Sequence, residues 1–576
     1  MAPPALTIPH RTRRRVGLWG VPMAKNLVNL DALIPREDFE ETEPEPSSST
    51  TKWPGLRIAD LDPDRGVNFD SFRKPDFQRE TSAWDAEMVS EFIHSFVKQD
   101  FLPPVIMWRS TKTGNFFVID GGHRLSSLMA WVHDDYGDKS KSREFYEVIS
   151  IDQLAAAETT RQLVNKAVGS YADLLAANRA KSGDPEKIKR FKDADAAAMP
   201  IHWVEGDARR AEDSFYSINL RATPIDPTEA MLIQSRRKPS AMASRAIIRR
   251  SAGHQYWGDF PEATRDDIKK EAKSIFDFLY VPEVEEKTMD LPIAGRSYGG
   301  GDSLSLVYNL GALANNMTEL LKRLKRKEPQ KSRRGAQKLE EKIEDDDLDG
   351  TETVKYLKTV RKVVERFTGK DPRSLGLHPI VYSYGITGRF QPSAFLATIG
   401  LIMEVEAANG LVRFTQNRAL FEEFLLHHRA FTNQTVSKFG GQLKSYDRLL
   451  AYYKEVLRLI DQRFTFPKIK ESLLTSKDFS YLKDSTNELT TMSANFSAAV
   501  NAVAFFRKAI HTAIVCEICH ARINARSISH HHNLDKKYGG LGNADNNALV
   551  HFYCNNTYVE QGHPPIPPLP GSSGDI

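Results

Sequence analysis

The sequence CEICHARINARSISHHHNLDKKYGG, residues 516–540, decides how the C-terminal part of this chain can fold. It holds two cysteines at Cys-x-x-Cys spacing and a run of three histidines, where a globular chain usually has apolar residues. A second pair, His551 and Cys554, follows after 31 intervening residues. Two such pairs have the spacing of a zinc site.

The predicted structural zinc site consists of Cys516, Cys519, His551 and Cys554. Zn²⁺ prefers four tetrahedral thiolate and imidazole ligands, and a closed set of four is structural rather than catalytic. The assignment uses all three cysteines of the chain. An odd number of cysteines with a Cys-x-x-Cys pair argues against a disulfide framework, so we expect a reduced, cytoplasmic protein.

Between and beside the two zinc pairs, polar residues and glycines occur in a characteristic order. They are His531, His532, Gly539, Gly540, Asn546 and Asn555. This order resembles the HNH endonuclease family, whose ββα-metal fold often carries two zinc-binding pairs around the active site. The resemblance implies that His531 and Asn555 bind a catalytic Mg²⁺ or Mn²⁺, that His532 is the general base, and that Asn546 orders the loop. A neutral imidazole can accept a proton near pH 7, which suits the role of His532.

Two alternatives stay open for this region. One is a zinc knuckle without catalysis, in which the histidines at 530–532 are exposed loop residues. The other concerns the substrate, because the same metal-phosphate chemistry serves DNA and RNA. Many HNH proteins have Asp at the position of His531, so the preferred metal is also open.

Toward the N-terminus, VIDGGHRLSSL at 118–128 predicts a strand, a Gly-Gly turn and a helix. Such a turn presents backbone N–H groups at a helix N-terminus, where phosphate can bind. Asp120 could hold a metal ion, and His123 or Arg124 could contact phosphate oxygens. The same pattern is also a common structural connection, so the motif alone does not decide between the two readings.

The surrounding residues add a resemblance. The stretch DFQRETSAWDAEMVSEFIHSFVKQDFLPPVIMW (76–108), whose helix carries an apolar stripe including Trp84 and Met88, precedes FFVIDGGHRLSSLMAW (116–131). Together they are similar to the GmrSD-type N-terminal domain family, related to the ParB nuclease-like superfamily. The family implies binding of a nucleotide, and the implied contacts are Gln78, Arg79, Asp120, Gly121 and Arg124. The usual motif, Asp-Gly-Gln-Gln-Arg, is changed here to DGGHR, so phosphate binding without NTP hydrolysis is an open alternative.

The remaining sequence predicts a multidomain arrangement, because 576 residues are too many for one core. We expect an N-terminal extension and flexible linker at 1–54 and a GmrSD/ParB-like domain at 55–235. A helical domain at 236–510 contains a charged loop at 322–350, and the HNH domain at 511–576 ends in a disordered Pro/Gly-rich tail. The longest apolar run is too short to span a membrane.

One aromatic and basic stretch, PRSLGLHPIVYSYGITGRFQPSAFLATIGLIM at 372–403, has two readings. Tyr382, Tyr384, Arg389 and Phe390 could contact nucleic acid by stacking and charge. The commoner reading is packing between helices.

The fold class predicted overall is α+β and multidomain, with an α/β N-terminal domain, a mostly helical middle and a C-terminal ββα-metal domain. The predicted function is a metal-dependent HNH DNA endonuclease that an N-terminal nucleotide-binding or modification-sensing domain controls, in restriction or anti-phage defence. The expected partners are DNA, including modified phage DNA, and an NTP, without a membrane; an oligomer is compatible with the sequence. The alternative is a non-catalytic ParB-like DNA-binding regulator with a zinc knuckle.

Overall fold

A computed structural model describes most of the chain. The described residues are 27–37, 53–65, 69–76, 78, 80–146, 148–180, 184–221, 231–232, 235–282, 288–296, 301–325, 343–385, 387–484 and 498–567. Within these ranges, no helix has the length and apolar character that crossing a membrane requires.

The N-terminal part of the chain is built around a six-stranded mixed sheet. Its strands are β1 (Arg36–Glu37), β2 (Gly55–Arg57), β3 (Phe72–Pro75), β4 (Val105–Arg109), β5 (Phe116–Asp120) and β6 (Ala198–Trp203). Their spatial order is β1-β3-β5-β4-β6-β2. The pairs β4–β5 and β2–β6 are antiparallel, and the other neighbours are parallel.

Within the described residues, seven helices accompany this sheet. They are α1 (Ala86–Val97), α2 (Gly122–His133), α3 (Ser140–Tyr146), α4 (Ile151–Ala167), α5 (Tyr171–Ala180), α6 (Pro185–Ala196) and α7 (Ala208–Arg221). Asp85 caps α1 by accepting a hydrogen bond from the Met88 N–H at 2.9 Å. Trp84 therefore precedes the helix, and Met88 lies on its exposed side. The apolar stripe of α1 is thus shorter than the sequence pattern predicts, because it lacks Trp84 and Met88.

Residues 27–37 belong to the same core, although the sequence predicts an extension and linker at 1–54. Val28, Leu33 and Ile34 are buried with the sheet residues. Asp31 is also buried, and its carboxylate is paired with Arg36 and Lys74. Apolar burial and these ion pairs hold the segment in place, so the predicted boundary at residue 55 omits part of this core. Residues 38–52 of the predicted linker lie outside the described residues.

Helices dominate the middle of the chain, as the sequence predicts. They are α8 (Pro239–Ile248), α9 (Glu262–Tyr280), α10 (Gly301–Ala314), α11 (Thr318–Lys325), α12 (Thr351–Phe367), α13 (Pro379–Tyr382), α14 (Pro392–Ala407), α15 (Leu411–His427), α16 (Arg429–Phe439), α17 (Leu443–Asp461), α18 (Phe466–Thr475) and α19 (Ala498–His511). Residues 326–342 of the charged loop predicted at 322–350 lie outside the described residues. At its acidic end, the buried Asp347 accepts hydrogen bonds from Gly350 and Thr353 and so orders the start of α12.

The aromatic residues at 382–384 pack between helices. Tyr382 and Tyr384 are both buried. The Tyr382 hydroxyl donates to Glu422 at 2.9 Å, and the Tyr384 hydroxyl donates to the Pro292 carbonyl at 2.7 Å. The packing interpretation is therefore confirmed for these two tyrosines, which cannot stack on nucleic acid.

The C-terminal part contains two antiparallel strands followed by a helical turn. These are β7 (Ile528–His532), β8 (Asn547–His551) and a π-helical turn (Cys554–Tyr558). Their apolar residues share one hydrophobic core with helices α8 to α19. This unit is therefore packed onto the helical region, although the sequence predicts a separate domain from residue 511.

Candidate functional site

Four buried side chains converge at the base of the C-terminal unit. The ligand atoms of Cys516, Cys519, His551 and Cys554 all lie within 4.8 Å of one another. The His551 Nδ1 atom lies 3.4 Å from the Cys519 Sγ atom and 3.7 Å from the Cys554 Sγ atom. Tetrahedral zinc-sulfur bonds would place ligand atoms about 3.8 Å apart, which these spacings approach. The predicted zinc residues are thus brought together.

The surroundings of His551 select the atom that would face a metal. Its Nε2 atom lies 3.1 Å from the Arg522 carbonyl oxygen, to which an Nε2–H group can donate. That arrangement leaves the Nδ1 lone pair directed at the three thiols, as in metal sites whose histidines are held by a backbone carbonyl. Burial raises the pKa of the Cys519 thiol well above its ordinary value. A cation among the sulfurs would offset this cost, so the donor set fits Zn²⁺.

The three consecutive histidines divide between the two faces of β7. The side chains of Ser529 and His531 both meet Asn555 on the helical turn. The His531 Nδ1 atom and the Asn555 Oδ1 atom are 2.8 Å apart. Adjacent ligands of an octahedral cation are about 3 Å apart, so these two atoms could share a Mg²⁺ or Mn²⁺ ion. His530 lies on the opposite face, where its Nδ1 atom is 2.9 Å from the Asn547 Oδ1 atom.

His532 is the last residue of β7 and is half-buried. Among the residues that the structure describes, no hydrogen-bond partner holds its imidazole. The pKa of the Asp535 carboxyl is lowered, mainly by the hydrogen bonds that it accepts from Lys537 and to a smaller extent by the charge of the nearby His532. An imidazole that is not tied to protein groups can accept a proton from a bound water.

Asn546 braces the loop between β7 and β8. Its Oδ1 atom accepts the Leu534 N–H at 2.6 Å, and its Nδ2 atom donates to the carbonyls of Leu534 at 3.0 Å and Leu541 at 2.8 Å. A Cβ atom on Gly540 would lie only 1.7 Å from the Leu534 carbonyl oxygen, so the loop requires glycine there. The hydrogen bonds of Asn546 therefore hold Leu534 and Leu541 together, next to His532.

A second candidate site lies in the N-terminal part, where a cavity of about 360 Å³ opens at the start of α2. Its lining residues are Gln78, Thr81, Trp84, Phe92, Pro103, Ile119, Asp120, Gly121, Gly122, His123, Arg124 and Phe215. Gly121 has a φ of 93°, a conformation that favours glycine, and so turns the chain from β5 into the helix. Of the five predicted contacts, Gln78, Asp120, Gly121 and Arg124 share this cavity, and Arg79 lies outside the described residues.

The charged residues of the cavity are engaged with each other. Arg124 donates to Asp120 at 2.7 Å and to the Pro103 carbonyl at 2.9 Å. Its guanidinium also packs over Gly121, where an added Cβ atom would lie 3.0 Å from it. In this arrangement Arg124 holds the turn together rather than projecting into the cavity.

The sequence did not identify the apolar wall of this cavity. Trp84 and Phe92 belong to the helical stripe in the sequence pattern, and Phe215 had no predicted role. The Trp84 and His123 rings are stacked with their centroids 5.5 Å apart. Asp85, a residue type that favours the N-cap position, follows Trp84 and is the local signal that Trp84 lies outside the helix.

Residues 62–236 match the family model described as GmrSD restriction endonuclease, N-terminal domain. The match contains the whole cavity and confirms the resemblance seen in the sequence of this segment. The named family is one of restriction endonucleases, so a nuclease role and DNA as a partner are the functions that it suggests. No curated protein matches the chain, and no solved structure matches it.

Proposed function

We propose that this protein is a metal-dependent HNH endonuclease that cuts DNA under the control of its N-terminal domain. The observation that carries the proposal is the pair formed by His531 and Asn555, 2.8 Å apart, beside His532. This pair lies on a strand-strand-helix unit with a buried zinc-type cluster at its base. The family match of the N-terminal segment adds a restriction role and anti-phage defence.

The chain's own residues divide the chemistry among them. His531 and Asn555 would hold the divalent cation, which supplies positive charge to the scissile phosphate and the leaving oxygen. His532 accepts the proton of the attacking water through its imidazole nitrogen. Asn546 keeps the loop closed so that His532 retains its place beside the phosphate.

The zinc-type cluster has a structural part in this proposal. Its four ligands join the segment before β7 to the segment after β8, and thereby fix the separation of His531 from Asn555. Three buried thiols that bind a metal need a reducing compartment, so we place the protein in the cytoplasm.

The N-terminal domain is proposed to sense a nucleotide or a modification of the DNA. Its residues Asp76 and Glu80 contact the helical region, since the Tyr256 hydroxyl donates to the Asp76 carbonyl at 3.1 Å and Arg249 pairs with Glu80 at 2.8 Å. Arg236 also pairs with Asp76 at 2.7 Å. A change around Gln78 could reach the helical region through these contacts.

The decisive experiment is cleavage of DNA by the purified chain with Mg²⁺ or Mn²⁺, comparing His532→Ala with His530→Ala. We expect His532→Ala to lower the cleavage rate at least about 100-fold, because general-base catalysis contributes roughly 10²–10⁴-fold. The His530 side chain lies on the same strand but contacts Asn547, and alanine keeps the backbone carbonyl that accepts a hydrogen bond from Asn555, so His530→Ala should keep most of the activity. Circular dichroism checks that both variants fold.

Retained cleavage in His532→Ala would remove His532 from its role as the base. If the wild-type protein binds DNA but breaks no strand with either metal, the chain is a DNA-binding regulator instead. Parallel assays on RNA decide which nucleic acid is cut.

A further inference from the structure

The cavity at the start of α2 has one aromatic wall and one polar edge. Trp84, stacked with His123, forms the wall together with Phe92 and Phe215. Such a wall suits a flat ring, since aromatic side chains bind bases by stacking. A cavity of about 360 Å³ is near the lower end for small-molecule sites, which span roughly 300–1,000 Å³.

The charges of this cavity do not suit a polyphosphate. Among its described lining residues there is one acid, Asp120, and one base, Arg124, and they pair with each other at 2.7 Å. Arg124 is bonded further to the Pro103 carbonyl. Triphosphate sites hold their several negative charges with unpaired basic side chains and a cation. The described lining residues instead form a nearly neutral surface.

Its polar edge combines a side-chain acceptor with backbone donors at the start of a helix. Gln78 is only 8% exposed, and its side-chain carbonyl oxygen has no hydrogen-bond partner among the described residues. Next to the Gln78 amide, Gly121 and Gly122 line the cavity at the N-terminal end of α2. The first helical hydrogen bond there is donated by Leu125, so earlier N–H groups lack an acceptor inside the helix. Burying an amide oxygen without a hydrogen bond costs free energy. A ligand that donates a hydrogen bond to the Gln78 side-chain oxygen and accepts one from a backbone N–H group of α2 would remove that cost.

The two residues that depart from the usual motif shape this edge. Gly122 has no side chain, and a Cβ atom there would lie 3.2 Å from the Gln78 Nε2 atom. The glycine thus leaves room beside the amide of Gln78. His123 turns toward Trp84, and its Nε2 atom accepts the Ala83 N–H at 3.0 Å. His123, the second residue that differs from the usual motif, therefore extends the aromatic wall.

We propose that this cavity binds an uncharged nucleobase, through its ring face and its donor-acceptor edge, in preference to the polyphosphate of an NTP. The proposal rests on the proposed function insofar as the base belongs to the nucleic acid that the protein cuts. A base can enter the cavity as a free nucleoside or as an unpaired base of DNA. Enzymes that read a single base in this way take it out of the stack and bind its pairing edge.

The test measures binding to the full-length protein by isothermal titration calorimetry. The probes are the four deoxynucleosides, the matching triphosphates with Mg²⁺, and a single-stranded DNA oligonucleotide in the His532→Ala background. Gln78→Leu removes the unpaired amide, and Gln162→Leu makes the same change on the exposed face of α4 as a matched control. Trp84→Ala removes the stacking surface.

We expect at least one deoxynucleoside, or the oligonucleotide, to bind. The matching triphosphate should bind no more than about threefold tighter, since its phosphates meet no unpaired basic side chain among the described lining residues. Trp84→Ala should weaken binding roughly five- to 150-fold, the range for loss of one base-aromatic stack. Gln78→Leu should weaken it at least about tenfold, and Gln162→Leu should leave it unchanged.

Binding of the oligonucleotide without any nucleoside would assign the base to DNA, provided that Gln78→Leu weakens it. A triphosphate that binds more than about tenfold tighter than its nucleoside would overturn the proposal, as would the absence of binding by every probe. Neither result depends on strand cleavage. If the wild-type protein breaks no DNA strand with either metal while the base binds as described, the nuclease assignment fails and the base-binding proposal stands.

Discussion

At the scale of single residues, the zinc-type cluster depends on four buried side chains whose ligand atoms lie close together. The three thiols are all buried, and His551 is directed at them by the Arg522 carbonyl. The types and spacing of these residues predicted the cluster from the sequence. The carbonyl that orients His551 comes from a residue 29 positions earlier, and only the folded chain brings the two together.

Replacing one ligand tests this cluster. We expect Cys519→Ser to lower the zinc content of the purified protein from about one ion per chain to near zero, because a closed site needs four soft or borderline donors. The melting temperature should fall in the same variant, since metal binding stabilises the folded state. Zinc is measured by mass spectrometry of the metal and melting by differential scanning fluorimetry.

The control is His520→Ala, which removes the histidine next to Cys519. The His520 Nε2 atom contacts the Ile566 carbonyl at 2.7 Å and lies outside the cluster. This variant should keep its zinc. An unchanged zinc content in Cys519→Ser would show that the cluster is not a metal site.

At the scale of elements, local sequence patterns and local structure agree well. The strand at 116–120, the left-handed Gly121 and helix α2 follow the predicted order, because hydrophobic periodicity and a Gly-Gly turn act within a few residues. The loop between β7 and β8 also lies within one short segment of the chain. Its brace, Asn546, crosses 12 residues to Leu534, and the sequence indicated this role only through a family resemblance.

The brace can be tested by Asn546→Ala. The change removes three hydrogen bonds to Leu534 and Leu541, each contributing roughly 0.5–1.5 kcal/mol. We expect faster hydrogen exchange at the Leu534 N–H and a kcat for DNA cleavage about tenfold lower, with KM nearly unchanged. Exchange is measured by mass spectrometry of peptides from the loop.

A matched control is Asn533→Ala, one residue from His532. Asn533 is exposed and joins the loop through its backbone N–H, which alanine keeps. Equal exchange rates in the two variants would mean that the Asn546 side chain does not hold the loop.

At the scale of the whole molecule, a buried ionic network joins the C-terminal unit to the helical region. Glu422 on α15 accepts hydrogen bonds from Arg418 at 2.8 Å, from the Tyr382 hydroxyl at 2.9 Å and from the Arg522 N–H at 2.8 Å. Arg418 in turn donates to the carbonyls of Leu375 and Arg522. Both charged side chains are almost completely buried. The network makes the zinc-type cluster part of the helical core.

Glu422→Gln should therefore destabilise the protein strongly. It leaves the buried Arg418 without its counter-ion, and breaking a buried pair in this way costs about 3 kcal/mol or more. The control Glu455→Gln breaks a pair with Arg458, a side chain that is 52% exposed, and should cost less than about 1 kcal/mol. Urea unfolding followed by circular dichroism compares the two. Equal losses of stability would contradict the structural role of this network.

Residue types and short-range periodicity predicted the local features of this protein: the zinc-type pairs, the turn before α2 and the helical middle. The strand that carries the histidines was implied by the family resemblance. Three features emerged from the folded chain: residues 27–37 complete the N-terminal core, the C-terminal unit shares its core with the helices, and Trp84, Phe92 and Phe215 meet in one cavity. Phe215 lies more than 100 residues from the other two aromatics in the sequence. Side chains so far apart in the sequence become neighbours only when the chain folds. A pattern within one segment therefore cannot predict their contact.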